Sequence, residues 1–162
     1  MNDQFVFFYG GPFSQWVPCK FEVSGIKYCT AEQFMMAAKA KIFGDKETYA
    51  KIMASSDPRE QKALGRQVKN FNATLWANAA EEVVYIGNYA KFSDPTFKQI
   101  LLDTGNKEIV EASPYDTIWG IGMGEGDPDR FDKTKWKGTN LLGEVLMKVR
   151  RALRNEALHS ER

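Results

Sequence analysis

The chain has 162 residues, of which 43% are hydrophobic and 27% charged, so it is long and apolar enough to fold around a core rather than remain disordered. Its formal net charge of +1 excludes a general attraction to nucleic acid or anionic membrane, so any nucleotide contact would come from a local site. No apolar run reaches the roughly 20 residues that cross a bilayer, and the first residues lack a secretion-signal pattern, so we expect a cytoplasmic protein without a membrane partner.

The predicted elements begin with two strand regions and a helix. Residues 5–9 form an apolar run typical of a buried strand, and residues 19–29 place two β-prone segments around a Ser-Gly turn, which predicts a hairpin. Thr30 is a suitable N-cap for a helix that ends near Gly44. Its expected core positions are Ala31, Phe34, Met35, Ala38 and Ile42.

Caps and prolines mark the remaining helices. We predict that these helices begin after Asp45, at Pro58, after Asn72, at Pro95 and near Asn140, and that the last ends near Leu153. Residues 108–112 are expected to form a short strand. Residues 113–138 show little periodicity, and a loop of that length in a compact domain is often functional.

This order of elements predicts a mainly helical α+β fold with a small antiparallel sheet near the N-terminus. We expect a single domain over residues 1–162, with its core at about 5–153 and a frayed C-terminal tail at 155–162. The elements do not alternate as strand, helix, strand, so a doubly wound parallel sheet is not expected.

The residue inventory excludes several kinds of site. His159 is the one histidine and lies near the end of the chain, which argues against Ser-His-Asp, Cys-His and zinc chemistry. Cys19 and Cys29 have no metal-ligand spacing and are expected to be reduced thiols. Glycine-rich phosphate loops are missing, and the acidic run Asp127, Asp129 and Asp132 after Gly126 does not follow the EF-hand order. We therefore expect no metal and no cofactor.

Glu32 and Lys39 are the first candidate pair on the helix that follows Thr30. They are seven residues apart, so they share one face and lie about 10 Å apart along the axis. Both could reach the rim of a cleft beside the core. The spacing by itself is equally typical of ordinary solvated side chains on a helix, and it favours that interpretation.

Two aromatic regions are further candidates. Trp119 is followed by Gly120 and Gly122, so a flat ring could face a base while backbone amides approach a phosphate. The alternative is that Trp119 fills the core and the glycines make turns. Trp76 is more often a core residue at such a position, and Arg66 could either cap a helix end or bind a phosphate.

The order of several segments resembles the YbiA-like or NADAR family. These segments are FY at 8–9, FSQW at 13–16, TAEQFMMAAK at 30–39, LGR at 64–66, DTIWG at 116–120, NLLG at 140–143 and LM at 146–147. The resemblance covers about residues 5–153. The chain departs from the family pattern at Gln15, where Asn is common, at Gln33, where His is frequent, and over 124–137, which is longer than in short bacterial members.

Membership would imply a mainly helical fold and hydrolysis of N-glycosidic bonds in ribosylated compounds. The resemblance implies two substrate classes: ribosylamino-pyrimidine intermediates of riboflavin synthesis, and ADP-ribose attached to guanine in DNA or RNA. Both carry ribose on an exocyclic amino nitrogen. Such a sugar can open to an imine, into which a lysine amine can exchange.

The resemblance suggests roles for ten residues. Lys39 would be a nucleophile, Glu32 a general acid and base, and Asp116 a third catalytic group that orients a hydroxyl or assists proton transfer. The expected substrate-binding residues are Trp119 and Trp76 for the base, Arg66, Gly120 and Gly122 for phosphate, and Ser14 and Asn140 for the sugar. Three alternatives remain open: direct activation of water by Glu32, a non-catalytic protein that binds NAD or ADP-ribose, and a structural interaction protein.

Overall fold

The computed structural model describes residues 3–160 and divides the chain into two compact units. One unit is Gln15–Lys91, which we call the helical unit. The described residues up to Ser14 and from Phe92 onward form the other, which we call the strand-pair unit. Within residues 3–160, no helix combines the length and apolarity needed to cross a membrane.

The helical unit contains a hairpin and four helices. Strands β2 (Phe21–Val23) and β3 (Ile26–Tyr28) pair in antiparallel register, with Phe21 opposite Tyr28. The helices are α1 (Ala31–Ile42), α2 (Lys46–Ala54), α3 (Pro58–Gly65) and α4 (Ala73–Lys91). The predicted hairpin and the four predicted helix starts are confirmed.

Helix α1 is the centre of this unit, because α2, α3, α4 and β3 all pack against it. Its first seven residues, Ala31–Ala37, are buried whether apolar or polar. The expected core stripe is therefore wrong at its end, where Ile42 is 45% exposed. The predicted stripe would apply to a helix with one face in solvent, whereas a helix with neighbours on several sides is buried around most of its surface.

The N-terminus of α1 is fixed by side-chain hydrogen bonds. The Thr30 hydroxyl oxygen accepts from the Gln33 backbone N–H at 2.9 Å, as an N-cap does. The Gln33 side chain does not bond back to the Thr30 N–H as in a capping box, since its Oε1 accepts from the Cys29 N–H at 2.8 Å. Its Nε2 donates to the Ile52 and Ser55 carbonyls, which joins α1 to α2. Gln33, where the chain departs from the family pattern, is thus a buried residue that connects α1 to the end of α2.

The strand-pair unit contains two strands and two α-helices. Strand β1 (Phe5–Phe8) pairs in parallel with β4 (Glu108–Glu111), so the antiparallel pairing predicted for the small sheet holds for the hairpin and not for this pair. Nearly a hundred residues connect β1 to β4, which is ample for the crossover that parallel strands need. Helix α5 (Pro95–Leu102) precedes β4, and α6 (Leu141–Ser160) packs against it.

Helix α6 is longer than predicted. It continues to Ser160, past the expected end at Leu153 and through most of the tail expected to fray, while residues 161 and 162 lie outside the described part of the chain. Two arginines attach it to the turn before β4. Arg150 donates to the Thr104 hydroxyl and the Lys107 carbonyl, and Arg154 donates to the Gly105 carbonyl.

The long segment after β4 is ordered by local contacts. It includes two 3₁₀ turns, Pro128–Phe131 and Lys133–Lys135. Arg130 lies over the Phe131 ring at 4.1 Å and over the Phe7 ring at 5.3 Å, and the Trp136 ring lies 6.0 Å from that of Phe5. The 124–137 segment therefore packs on β1, which the sequence did not predict.

The buried Lys91 is expected to make the stability of the protein depend on pH. Lys91 is fully buried at the end of α4, and burial lowers its pKa from 10.5 to about 7, partly opposed by Cys19. The folded state then binds fewer protons than the unfolded state between these values, so stability rises with pH across that range. We expect the free energy of unfolding to increase by about 2 kcal/mol from pH 7 to pH 9.

Urea denaturation at the two pH values measures this slope. Lys91→Met should remove it, whereas Lys46→Met, at an exposed position of α2, should retain it. An unchanged slope in Lys91→Met would contradict the assignment.

Asn140 is a second test, because it joins α6 to β4. Its Oδ1 accepts from the Glu111 N–H at 2.9 Å, and its Nδ2 donates to the Ile109 carbonyl at 3.0 Å. Its φ of 52° also favours Asn over Ala. Asn140→Ala should lower the free energy of unfolding by about 2–4 kcal/mol, since two strand groups lose their partners. The exposed Asn106→Ala change is the control, and equal losses in both variants would refute this role.

Candidate active site

Glu32 lies in the first turn of α1, at the second helical position. It is 7% exposed, and its backbone N–H donates to the Gln15 carbonyl at 2.9 Å. An N–H at this position has no partner within its own helix, so the Gln15 segment supplies one. Glu32 is therefore an acidic side chain in a buried environment, although its spacing from Lys39 alone favoured a solvated side chain.

Lys39 lies two turns further along α1 and is half-buried. Its Nζ lies 4.6 Å from the centre of the Phe71 ring and 5.8 Å from that of Trp76. Both distances are within the range of cation–π contact. The amine thus lies beside two aromatic rings that come from the region where α4 begins.

The protonation of Lys39 reflects three influences. Burial is the largest and lowers the pKa of Lys39 below its usual 10.5. The Glu32 carboxylate raises this pKa, and the Arg66 guanidinium lowers it. The net direction is downward, so more of the amine is neutral, and hence nucleophilic, than in an exposed lysine.

Close packing of α3 on α1 determines where Arg66 lies. Arg66 is the exposed C-cap residue of α3 and follows Gly65. A Cβ on Gly65 would meet the Met36 sulfur at 1.9 Å, so only glycine allows this approach. The predicted alternatives for Arg66, helix capping and phosphate binding, are compatible, since its backbone N–H caps α3 while its guanidinium acts on Lys39.

The start of α4 determines where the aromatic rings lie. The Asn72 Oδ1 accepts from the N–H groups of Thr74 and Leu75, which confirms the predicted cap. Phe71 precedes this cap and Trp76 is the fourth helical residue, the two positions of a hydrophobic staple. Trp76 is half-buried, and Phe71 is 46% exposed. Sequence reasoning missed Phe71, although the staple pattern was a signal for it.

The half-buried Gln15 and the buried Asn88 form an amide pair that the sequence also missed. The Asn88 Nδ2 donates to the Gln15 Oε1 at 2.8 Å and to the Val84 carbonyl at 2.9 Å. The Gln15 Nε2 points to the Met35 sulfur at 3.7 Å. Since the Gln15 carbonyl bonds to Glu32, this pair anchors the segment that satisfies the start of α1. They lie 73 residues apart, so no local pattern connects them.

The other six predicted residues belong to the strand-pair unit: Ser14, Asp116, Trp119, Gly120, Gly122 and Asn140. The Asp116 Oδ1 accepts from the N–H groups of Ile118 and Trp119, at 2.9 and 2.8 Å. Trp119 is half-buried, so it is more exposed than a residue that fills the core. Ser14 is also half-buried, and its N–H donates to the Gly11 carbonyl. Asp116 thus has at least one structural role, as the residue that closes its own loop.

Three of these residues make contacts within the protein that the sequence did not predict. The Gly122 N–H donates to the Asp116 carbonyl, so it is not directed at a phosphate. Gly120 is buried, and its Cβ would lie 3.0 Å from the Asp116 and Glu111 carbonyl oxygens, so the glycine serves packing. Asn140 binds β4 through both the oxygen and the nitrogen of its amide. The Gly122 N–H is thus bonded within the loop, the Asn140 amide is bonded to β4, and Gly120 is required for close packing.

A cavity of about 660 Å³ lies elsewhere in the helical unit. Its lining includes Phe21, Tyr28, Gln33, Met53 and Ser55. The Gln33 amide on its wall already bonds to Cys29, Ile52 and Ser55. The cavity does not include Glu32, Lys39 or the aromatic rings beside Lys39.

Comparison with known proteins gives consistent results. An N-glycosidase of Acanthamoeba polyphaga mimivirus is 46% identical over 163 residues, which cover 92% of this chain and 96% of that protein. A riboflavin biosynthesis protein of Vibrio vulnificus is 30% identical over 148 residues, 91% of this chain but 36% of that protein. The NMR structure of the E. coli protein YbiA matches with a TM-score of 0.79 at 28% identity, covering 98% of this chain and 89% of that one.

The model of the NADAR domain matches residues 7–154. This range contains every predicted site residue of both units. The order of segments, the fold and the family model agree, and the chain belongs to the NADAR domain family.

Proposed function

We propose that this chain is an N-glycosidase that hydrolyses the bond between ribose and an exocyclic amino nitrogen. The observation that carries the proposal is the half-buried Lys39 amine, whose pKa is lowered and on which the Glu32 carboxylate acts. Its relatives named as an N-glycosidase and as a riboflavin biosynthesis protein support the same class of reaction. The substrates we propose are ADP-ribosylated guanine in DNA or RNA and ribosylamino-pyrimidine phosphates.

The proposed reaction begins with opening of the sugar ring. Glu32, in its protonated form, donates a proton to the ring oxygen as the bond from C1′ to that oxygen breaks, which leaves an iminium between C1′ and the base nitrogen. The neutral Lys39 amine adds to C1′. A proton then passes from the lysine nitrogen to the base nitrogen, the bond from C1′ to the base breaks, and the base leaves as a free amine.

The second half of the reaction releases the sugar. C1′ is now bound to Lys39 as a protonated Schiff base. The Glu32 carboxylate takes a proton from water as the water oxygen adds to C1′. In the resulting carbinolamine the hydroxyl proton passes to the lysine nitrogen as the bond from C1′ to that nitrogen breaks. This restores the neutral Lys39 amine and Glu32 in its protonated form, and the sugar aldehyde closes to the ribose ring. Trp76 would contact the base and Arg66 a phosphate in this arrangement.

Reductive trapping tests the covalent step. Borohydride added during turnover should reduce the Schiff base and leave one sugar adduct on Lys39, detected by mass spectrometry of the digested protein. Lys39→Ala should lose the adduct and at least about a hundredfold in kcat. Lys41→Ala, an exposed lysine on the same helix, is the matched control and should retain both. If Lys39→Ala still turns over, the Schiff-base route is wrong and direct attack by water replaces it.

Substitution of Glu32 tests proton transfer separately. Glu32→Gln keeps the shape of the side chain and should reduce kcat by about 10²–10⁴-fold while substrate binding is retained. Glu47→Gln is the control, because Glu47 occupies the same helical position in α2 but is exposed. The assay compares an ADP-ribosylated guanine oligonucleotide, a ribosylamino-pyrimidine phosphate and NAD. Retention of a ligand without release of product by wild type would refute the enzyme and favour a binding protein.

A further inference from the structure

Phe71 occupies the staple position before α4 and yet remains largely exposed beside the candidate nucleophile. It precedes the Asn72 cap of α4, and its ring lies 4.6 Å from the Lys39 Nζ. The Phe43 ring at the end of α1 meets it edge-on, with ring centres 5.4 Å apart. Yet 46% of Phe71 remains exposed. An aromatic residue is therefore held at the surface, supported on one side and directed at the candidate nucleophile.

We propose that Phe71 is a positioning residue of the candidate active site, whose ring shields the Lys39 amine from water and so keeps part of it neutral. The inference rests on the proposed function, in which Lys39 must be neutral to attack C1′. It adds a residue for which neither the family pattern nor the sequence predicted a role. It also gives the protein a means to set the nucleophile's protonation through a group that carries no charge.

Two effects of the ring on Lys39 oppose each other. The negative face of an aromatic ring attracts an ammonium, which favours the charged amine. Exclusion of water from the amine favours the neutral form. Burial is the largest influence on the pKa of Lys39 and lowers it, although the Glu32 carboxylate acts in the other direction. We therefore expect the shielding effect of Phe71 to exceed its attraction for the ammonium.

The other groups around Lys39 do not provide the same cover. Within the helical unit, Glu32 on α1 and Arg66 at the end of α3 are the charged side chains that act on Lys39, with opposite signs. Trp76 lies further away, with its ring centre 5.8 Å from the Nζ. Phe71 is the nearer ring, and Phe43 restricts its movement.

Three variants separate shielding from attraction. Phe71→Ala removes both effects, and Phe71→Leu keeps an apolar cover but removes the aromatic face. Leu75→Ala removes a 55%-exposed apolar side chain from the first turn of the same helix and is the control. The lysine carbons are labelled with ¹³C at Cε and titrated by NMR, and the Lys39 signal is identified by its loss in Lys39→Arg.

The expected result is a rise of about one unit in the Lys39 pKa in Phe71→Ala, which leaves about tenfold less neutral amine at pH values below it. The acidic limb of the kcat profile should move by the same amount. Phe71→Leu should hold the pKa at or below that of wild type, and Leu75→Ala should leave it unchanged. A Lys39 pKa that falls or stays constant in Phe71→Ala, or that rises equally in the Ala and Leu variants, would overturn the inference.

The two measurements distinguish the two proposals. If wild type neither cleaves the substrates nor forms an adduct, the proposed function fails and the catalytic role of Phe71 fails with it, while the titration still decides whether the ring shields Lys39. If wild type is active and the profile of Phe71→Ala does not move, only the inference fails. Rescue by Leu excludes a general loss of folding, which would affect both variants.

Discussion

Close packing around α1 is the constraint on which the candidate site depends. Gly65 allows the end of α3 to contact Met36, and Gly87 allows α4 to contact Phe34, where a Cβ would lie 2.6 Å from the ring. A larger residue at either glycine would force the Met36 or Phe34 side chain of α1 out of its position. Because α3 ends in Arg66 and α4 begins beside Trp76, the approach of these helices also determines the surroundings of Lys39. In the helical unit, the same helix contacts therefore form the core and position the residues around Lys39.

The chemistry of Lys39 follows from its position at the edge of this packing. Burial strongly lowers the pKa of a lysine such as Lys91 and so favours the neutral amine, whereas a fully exposed lysine remains charged at neutral pH. Lys39 is half-buried, with a carboxylate and a guanidinium acting on it in opposite directions. In this intermediate environment, small changes in the access of water change the fraction of neutral amine. A nucleophile that must also exchange protons requires that property.

Local signals predicted the helices well, because a cap is a contact between residues two or three positions apart. Thr30, Asp45, Asp57 and Asp94 all accept hydrogen bonds from the first turns of their helices, as their sequence context indicates. Contacts across long separations were not predictable in this way. The parallel pairing of β1 with β4 and the exposure of Ile42 both depend on which elements become neighbours.

The same distinction applies to the candidate site. Glu32, Lys39, Arg66 and Trp76 fall in one unit. Ordered family segments contain the first three, although helix periodicity alone favoured solvated side chains for Glu32 and Lys39. Asn140 and Gly122 appeared available for a ligand because a sequence does not reveal which backbone groups need partners. In the structure, β4 and the Asp116 loop take those hydrogen bonds. Polar residues in an irregular loop are therefore weaker evidence for binding than their composition suggests.

In the loop after β4, the need to satisfy backbone N–H and C=O groups determines what the side chains do. A segment with little regular structure has many backbone groups to satisfy, and the Asp116 carboxylate satisfies two of them, the N–H groups of Ile118 and Trp119. A helix such as α1 satisfies its own backbone after the first turn, so its side chains are released for other contacts. Glu32 and Lys39 are on such a helix, and the Gln15 carbonyl takes the remaining N–H of Glu32. Reactive groups on α1 can therefore be buried without being committed to holding the chain together.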